Sequence, residues 1–344
     1  MNVLITGGAG FIGTHLARRL LQEGCAVTVL DNFSPQIHGA APALAADLAG
    51  HVRLVAGDVR DRDAFHQALA GQEAVVHLAA ETGTGQSMYE VSRYEEVNVK
   101  GTAVLMDFLV NHPGSAVQKV VTASSRAVYG EGKYRCPQHG VVYPAGRDPE
   151  AMAAGRFEPP CPHCDADCAP LPTDESAPFA PTSFYGLTKQ VQEQMTLLFA
   201  RARGLSAFGL RYQNVYGPGQ SLHNPYTGIL AVFSNRARAC QPIYVFEDGL
   251  ESRDFVYIDD VVEATWRCLR PEARGVEALN VGSGIPTTVA EVVREIIAFF
   301  GSRSDVSITG EFRLGDIRHN VADLARVRQA LGFSPRWPFA RGIA

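Results

Sequence analysis

The 344-residue chain is expected to be an α/β protein built on a doubly wound parallel sheet, with a smaller mixed α/β substrate-binding lobe and a Cys-containing loop insertion. Three observations carry that expectation. Short apolar strand patterns alternate with amphipathic helix patterns over the first third of the chain. The first strand runs into a glycine-rich turn that opens the first helix. An aspartate then ends the second strand. At this length two lobes are expected rather than one.

Asn2 to Thr6 (NVLIT) reads as the first strand, closed by Gly7, Gly8, Gly10 and Gly13. Helical spacing follows over His15–Glu23 through Leu16, Leu20 and Leu21, and Ala26–Leu30 (AVTVL) is the second strand. The rhythm continues with a strand at Val52–Ala56, a helix over Arg62–Leu69 and a strand at Ala74–Leu78. A helix over Tyr94–Asn111 and a strand at Lys119–Ala123 complete it. Such alternation implies parallel strands joined by right-handed crossovers. Between Glu131 and Pro172 the rhythm breaks in a stretch rich in Pro, Gly, Cys and His. An irregular stretch of that length is an insertion with its own reason to be ordered, or a mobile flap. Regular structure resumes with a helix from about Ser183 to Arg203 and a strand at Ala207–Arg211. The expected division is residues 1–211 as the dinucleotide-binding domain containing the insertion 131–172, with 212–253 and 271–344 as the smaller lobe. Residues 254–270 return to the first domain.

Composition narrows the function classes. Apolar residues make 46% of the chain and charged residues 19%, which supplies a core and excludes a wholly disordered chain. A net charge of −5 provides no broad field for nucleic acid or an anionic membrane. No apolar run approaches the roughly 18 residues of a spanning helix, and MNVLITGGAGFIG lacks a signal peptide's order of regions. A cytoplasmic protein is expected, with no nucleic-acid or membrane partner. Cys25, Cys240 and Cys268 fall in strand or helix patterns and read as buried small hydrophobes.

The turn GGAGFIG satisfies both G-x-G-x-x-G and G-x-x-G-x-x-G. Without side chains at these points the turn can tighten, and a pyrophosphate can reach the backbone and the helix N-terminus. Asp31 stands 18 residues beyond Gly13, where a carboxylate accepts both ribose hydroxyls of NAD and repels the extra phosphate of NADP. A glycine turn alone is an ordinary feature; with a strand before it, a helix after it and the acid in place, it reads as a Rossmann-type NAD site. Tyr185 and Lys189, four residues apart, share one helical face. A nearby cation favours phenolate. Pairs of this kind decorate many solvent-facing helices, but behind a nucleotide fingerprint, and with Ser125 after the strand at Lys119–Ala123, they could move an alcohol proton while nicotinamide takes the hydride.

At this point the chain resembles the extended short-chain dehydrogenase/reductases, in the branch of nucleotide-sugar epimerases and dehydratases. TGGAGFIG at 6–13, LDN at 30–32, GDVRD at 57–61, HLAA at 77–80, NVKGT at 98–102, SSRAVYG at 124–130 and YGLTK at 185–189 stand in the family's order. RYQNVYGP at 211–218, SRDFVYIDD at 252–260, NVGSG at 280–284 and RLGDIRH at 313–319 follow. The resemblance implies NAD held by Gly7, Gly10, Phe11, Ile12, Gly13, Asp31, Asn32, Ser34, Asp58, Val59, Leu78, Ala79, Ala80, Asn98, Tyr185 and Lys189. It makes Tyr185 the acid/base, with Ser125 and Lys189 beside it. It places the nucleotide-sugar substrate against Thr82, Ser87, Ser125, Asn214, Arg253 and Arg313, in what is expected to be a homodimer. Taken singly, Asn214 would pass for a helix cap and the arginines for surface ion pairs.

One departure decides between reactions. Where the dehydratases carry Asp-Glu before V-Y-G, this chain has Arg126 and Ala127. Neither can deprotonate C5 or help expel a hydroxyl, so a 4-epimerase working through a transient 4-keto sugar is expected. The segments DNFSPQIHG at 31–39 and TGTGQSMYE at 82–90, with the Cys-bearing insertion, resemble the dTDP-L-rhamnose 4-epimerases, which implies a dTDP-6-deoxyhexose. The alternatives are a UDP-hexose-type 4-epimerase, a nucleotide-sugar 4-reductase, or a nucleotide-binding scaffold without the reaction. Relatives usually continue past Pro335–Pro338 into a final helix, which here is expected to be trimmed or absent.

The insertion carries C-x2-H at Cys136 and His139 and C-x2-C at Cys161 and Cys164, with His163 and Cys168 to spare. Two close pairs closing a loop suit a tetrahedral structural zinc. A flexible flap with solvent-exposed thiols accounts for the same residues.

Overall fold

The structure, a computed structural model, describes residues 1–39, 42–220, 228–313 and 315–344. Seven strands form the main sheet: β1 (Asn2–Thr6), β2 (Ala26–Asp31), β3 (Arg53–Ala56), β4 (Ala74–His77), β5 (Lys119–Ser125), β6 (Ser206–Tyr212) and β7 (Val276–Val281). All are parallel, in the order β7-β6-β5-β4-β1-β2-β3. Because successive side chains point to opposite faces, Val3 and Ile5 enter one core while Leu4 enters the other. The first core is roofed by α1 (Phe11–Gln22) and, from far along the chain, by a helix at Ile258–Leu269, through Leu16, Leu20, Val261 and Ala264. The second is roofed by helices at Arg62–Leu69 and Gly101–Asn111 through Phe65, Leu69, Leu105 and Leu109. This is the α/β, Rossmann-type architecture expected. The chain leaves β1 and β4 toward opposite sides, and that divergence opens a crevice at the carboxyl ends of the strands.

Several boundaries differ for physical reasons. Helix α1 begins at Phe11, not His15, because the glycine turn feeds straight into it with Gly10 as an N-cap that offers no side chain. The helix expected over Tyr94–Asn111 is interrupted: Glu95–Lys100 is a π-helical turn, which carries Asn98. Val276–Val281, expected in the smaller lobe, instead pairs along its whole length with β6 as the seventh strand of the main sheet. Its apolar pattern is equally compatible with either lobe, and only the pairing decides. Cys25 and Cys268 are buried as expected, but Cys240 is exposed at the end of a helix.

The smaller lobe pairs Asn214–Tyr216 and Pro286–Thr288 with a strand at Ser252–Tyr257, which also takes His319–Asn320. Helices at Ile229–Arg238 and Val289–Phe300 close over a core of Phe233, Val245, Phe255, Val292 and Ile296. The insertion is ordered as a small antiparallel sheet of Gly140–Val142, Tyr134–Cys136 and Ala169–Pro170. Past Pro338 the chain forms a short helix, Phe339–Ile343, with Phe339 against the Phe255 ring at 4.9 Å.

Candidate active site

The glycine turn explains itself by what a Cβ would meet. At Gly13 it would lie 2.4 Å from the Gly7 carbonyl, and at Gly7, where φ is +68°, it would lie 2.8 Å from the Ala79 amide. Only glycine lets the turn, β4's exit and the first turn of α1 approach this closely. Phe11, Ile12 and Gly13 line a cavity of about 760 Å³ at the crevice, a size typical of ligand sites. Asp31 ends β2 on the wall of this cavity, its carboxylate accepting from the Ala9 amide at 3.0 Å and the Phe33 amide at 2.8 Å. Backbone donors aim the carboxylate into the cavity, with His38 Nε2 3.4 Å away. Asp58, held below the usual carboxylate range by hydrogen bonds from Arg60 and Asn32 that outweigh its burial, sits beside it. A bare helix N-terminus, side-chain-free turn and acid at the neighbouring strand end fit a dinucleotide's pyrophosphate and ribose.

At the other end of the cavity the helix α2 (Phe184–Arg203) presents Tyr185 and Lys189 on one face, started by Ser183, whose side chain accepts from the Gly186 amide. Ser125, the last residue of β5, reaches the same space and hydrogen-bonds Tyr185. Lys189 Nζ lies 5.9 Å from the centre of the Tyr185 ring and donates to the Ala123 carbonyl at 3.0 Å. Desolvation lowers the lysine to about 7. For Tyr185 it acts the other way and raises the phenol; the Ser125 hydrogen bond and the Arg126 charge oppose the rise without reversing it. Burial thus outweighs, at this phenol, the neighbours that favour its charged form.

Arg126 occupies the position where a carboxylate would serve dehydration. Its Nε donates to Asn214 Oδ1 at 2.6 Å, and burial together with the Arg253 charge lowers it to about 10, so it stays cationic at neutral pH. Glu81 also lines the cavity and was not singled out in the sequence; it pairs with Arg93 at 2.9 Å. Gln213 also lines the cavity; it lies inside the RYQNVYGP motif, where only Asn214 was singled out.

The cavity wall gathers Gly7, Gly10, Phe11, Ile12, Gly13, Asp31, Asn32, Ser34, Asp58, Val59, Leu78, Ala79, Ala80, Thr82, Ser125, Asn214, Tyr185 and Lys189. Four expected contacts lie off it. Asn98 is fully buried and bridges Glu81 to Thr188, supporting the wall from behind. Ser87 is also buried, its hydroxyl donating to the Thr84 carbonyl at 2.6 Å. Arg253 is held by Asp316 at 3.1 Å and by the Arg318 carbonyl at 3.0 Å. Arg313 stacks over the Phe246 ring at 5.0 Å. In the insertion Cys136, His139, Cys161 and Cys164 converge with their ligand atoms within 4.8 Å of one another.

Fold and site together place the chain in the NAD-dependent epimerase/dehydratase family, whose profile matches residues 3–147 and 164–282. Among individual relatives, the chain is 42% identical to a dTDP-L-rhamnose 4-epimerase of Burkholderia thailandensis, over 99% of this chain and 92% of that one. It is 32% identical to a UDP-glucose 4-epimerase of Mycolicibacterium smegmatis, over 100% and 96%. The UDP-glucose 4-epimerase of Thermotoga maritima, solved with UDP-glucose, superposes with a TM-score of 0.80 at 28% identity, covering 100% of this chain and 96% of that one. The Thermus thermophilus UDP-glucose 4-epimerase complex with NAD gives 0.77 at 28% identity, with the same coverage. Among the described residues no helix is long and apolar enough to cross a membrane.

Proposed function

We propose that the protein is an NAD-dependent nucleotide-sugar 4-epimerase acting on a dTDP-6-deoxyhexose such as dTDP-L-rhamnose. The observation that carries the reaction is the meeting of Ser125, Tyr185 and Lys189 on one cavity wall with Arg126 and Ala127 beside them. Among the described residues, the carboxylates on that wall are Asp31 and Asp58 at the nucleotide end and Glu81, already paired with Arg93. The described residues thus provide for proton transfer at the 4-hydroxyl and supply no free carboxylate for general-base attack at C5. The choice of dTDP-L-rhamnose rests on the 42% identity over nearly the whole length of the Burkholderia enzyme.

Bound NAD would supply reversible hydride transfer at C4. Ser125 would orient the 4-oxygen, and Tyr185 would take its proton as the hydride leaves. Lys189 would hold the nicotinamide ribose and the charge of the phenolate. The 4-keto sugar turns in the cavity, and Tyr185 returns the proton once the hydride has come back on the opposite face. The sum is isomerisation without net redox change. Asn214 and Arg126 would form one side of the sugar–diphosphate path, with Arg253 and Arg313 behind it.

A panel of dTDP- and UDP-sugars followed by NMR tests the reading. Interconversion of dTDP-L-rhamnose with dTDP-6-deoxy-L-talose is expected, and in deuterated water neither C4 nor C5 should acquire deuterium. Deuterium at C5 with loss of a hydroxyl would mean dehydration, and turnover of UDP-hexoses alone would move the substrate class. The Asp31 role has its own test. The wild-type protein should retain NAD and bind NADP far more weakly, and Asp31→Ala should narrow that preference by on the order of 10-fold or more, because an unscreened carboxylate no longer faces the 2′-phosphate. Equal binding of both cofactors by the wild type would remove the role.

The cofactor complement proposed is NAD at the reaction centre, with a structural zinc outside the chemistry at Cys136, His139, Cys161 and Cys164. A homodimer is proposed on the outward stripe of Leu187, Val191 and Leu198 along α2, where Leu198 is 68% exposed. A cytoplasmic location fits seven cysteines with no disulfide between them.

A further inference from the structure

The insertion has little apolar material of its own: Tyr134, Cys136, Val142, Cys161 and Cys168 form its buried cluster, and Met152 and Phe157 are buried apart from it. Ordering so long a segment on so small a core demands a cross-link, and the sulfur atoms show which kind. Cys136 Sγ lies 3.6 Å from His139 Nδ1 and 3.7 Å from Cys164 Sγ, and Cys161 Sγ lies 3.6 Å from the same His139 nitrogen. A tetrahedral ion with Zn–S of about 2.3 Å and Zn–N of about 2.0–2.1 Å requires edges of about 3.8 Å between sulfurs and about 3.6 Å from sulfur to nitrogen. The observed edges are those of that tetrahedron, and the Gln138 amide points at Cys136 Sγ at 3.4 Å, a second contact of the sort that orients a thiolate. Cys168 is left outside, its sulfur 3.6 Å from the Ala166 carbonyl.

The clasped segment is wired to the substrate lobe by charge. Arg147 donates to both carboxylate oxygens of Glu247 at 2.8 Å and to the Asp316 carbonyl at 2.9 Å. Glu158, three residues before Cys161, pairs with the fully buried Arg318 at 2.7 Å, and Glu131 accepts the Arg318 amide at 2.9 Å. Asp316 and Arg318 both accept from the Arg253 guanidinium, which also donates to the Ser252 carbonyl. Residues 148–163, which carry Glu158 and Cys161, fall outside the family match.

We infer that Cys136, His139, Cys161 and Cys164 bind one zinc ion, and that the clasped insertion is a strut that holds the Asp316–Arg318 loop and, through it, Arg253. Three thiols release their protons to solvent on binding, His139 binds as the neutral ring, and the binding free energy becomes folding free energy of the insertion. The metal takes no part in hydride transfer. The link to substrate rests on the proposed role of Arg253 at the diphosphate; the metal and the strut do not.

The test uses full-length protein purified without a metal-affinity tag. Elemental analysis should find close to one zinc per chain, absent from Cys161→Ser/Cys164→Ser. Should that double variant fail to fold, His139→Cys keeps the inference open to refutation, since four thiolates should still hold one ion. Cobalt in place of zinc should show the visible absorption of a tetrahedral thiolate site. Chelation should raise hydrogen exchange in both 134–170 and 316–319 and raise KM for the nucleotide sugar several-fold with little change in kcat. Metal-free protein with reactive thiols, or a Cys136–Cys164 disulfide by mass spectrometry, overturns the site. Zinc loss that loosens 134–170 but leaves 316–319 protected overturns the strut. Inactivity toward every sugar, with the zinc and exchange results as expected, defeats the proposed function and not this inference.

Discussion

Tyr185→Phe is expected to lower turnover by on the order of 10²-fold or more, the usual scale for a lost general acid/base, while fold and bound NAD persist. The loss removes one oxygen and little else. The Tyr185 ring keeps its edge contact with Tyr94 at 6.3 Å, and the Ser125 side chain still accepts from the Ala127 amide at 3.1 Å. Lys189 keeps the Ala123 carbonyl. With no new buried polar group orphaned, stability should move little. NMR of the interconversion, circular dichroism and the NAD content of the purified variant read the three quantities separately. Near-normal turnover would refute the role of Tyr185, and lost NAD would recast it as a cofactor ligand only.

The parts of this molecule that were legible in its sequence are those where a local pattern and the tertiary demand coincide. Strands buried on both faces read as unbroken apolar runs, so β1, β2, β4 and β5 could be placed to within a residue or two. The helix over Arg62–Leu69 was expected with those bounds, and the structure shows Asp61 capping it through the Asp63 and Ala64 amides. The glycine turn was readable because only glycine fits there. What could not be read depends on partners distant in sequence. Val276–Val281 looks like any short strand until it meets β6. The π-helical turn at Glu95–Lys100 has no periodic signature, yet it is what puts Asn98 against Glu81 and Thr188. Arg253 and Arg313 were recognised as residues, but sequence does not say that their guanidinium groups face Asp316 and Phe246. In the insertion, spacing identified the close pairs; only folding separates Cys164, inside the cluster, from Cys168 just outside it.

Lys189→Met is expected to lower turnover near pH 7 by on the order of 10²–10³-fold and to move the acidic limb of the kcat/KM profile upward by more than about two pH units. Burial brings Lys189 down to about 7 and pushes the Tyr185 phenol above its ordinary 10.0. The pair therefore releases its first proton near neutrality, and that step belongs to both groups together. The state with ammonium and phenolate has the same proton count as the state with neutral amine and phenol, so it becomes accessible as pH passes through about 7. Methionine leaves only the raised phenol to titrate, and the phenolate fraction then falls about tenfold for each unit below it. Stability should respond with a definite sign. Below about 7 both folded and unfolded chains carry the Lys189 proton, and the burial penalty acts in full. Between about 7 and the ordinary 10.5 the unfolded chain holds a proton that the folded chain does not, so stability rises with pH. The neutral methionine abolishes that contribution. The cofactor-free variant should therefore gain most over wild type at pH 6, and the gain should shrink toward pH 10 in urea denaturation. An unmoved kinetic limb, or a gain that does not shrink with pH, would show that Lys189 is not the buried cation that sets the ionisation of Tyr185.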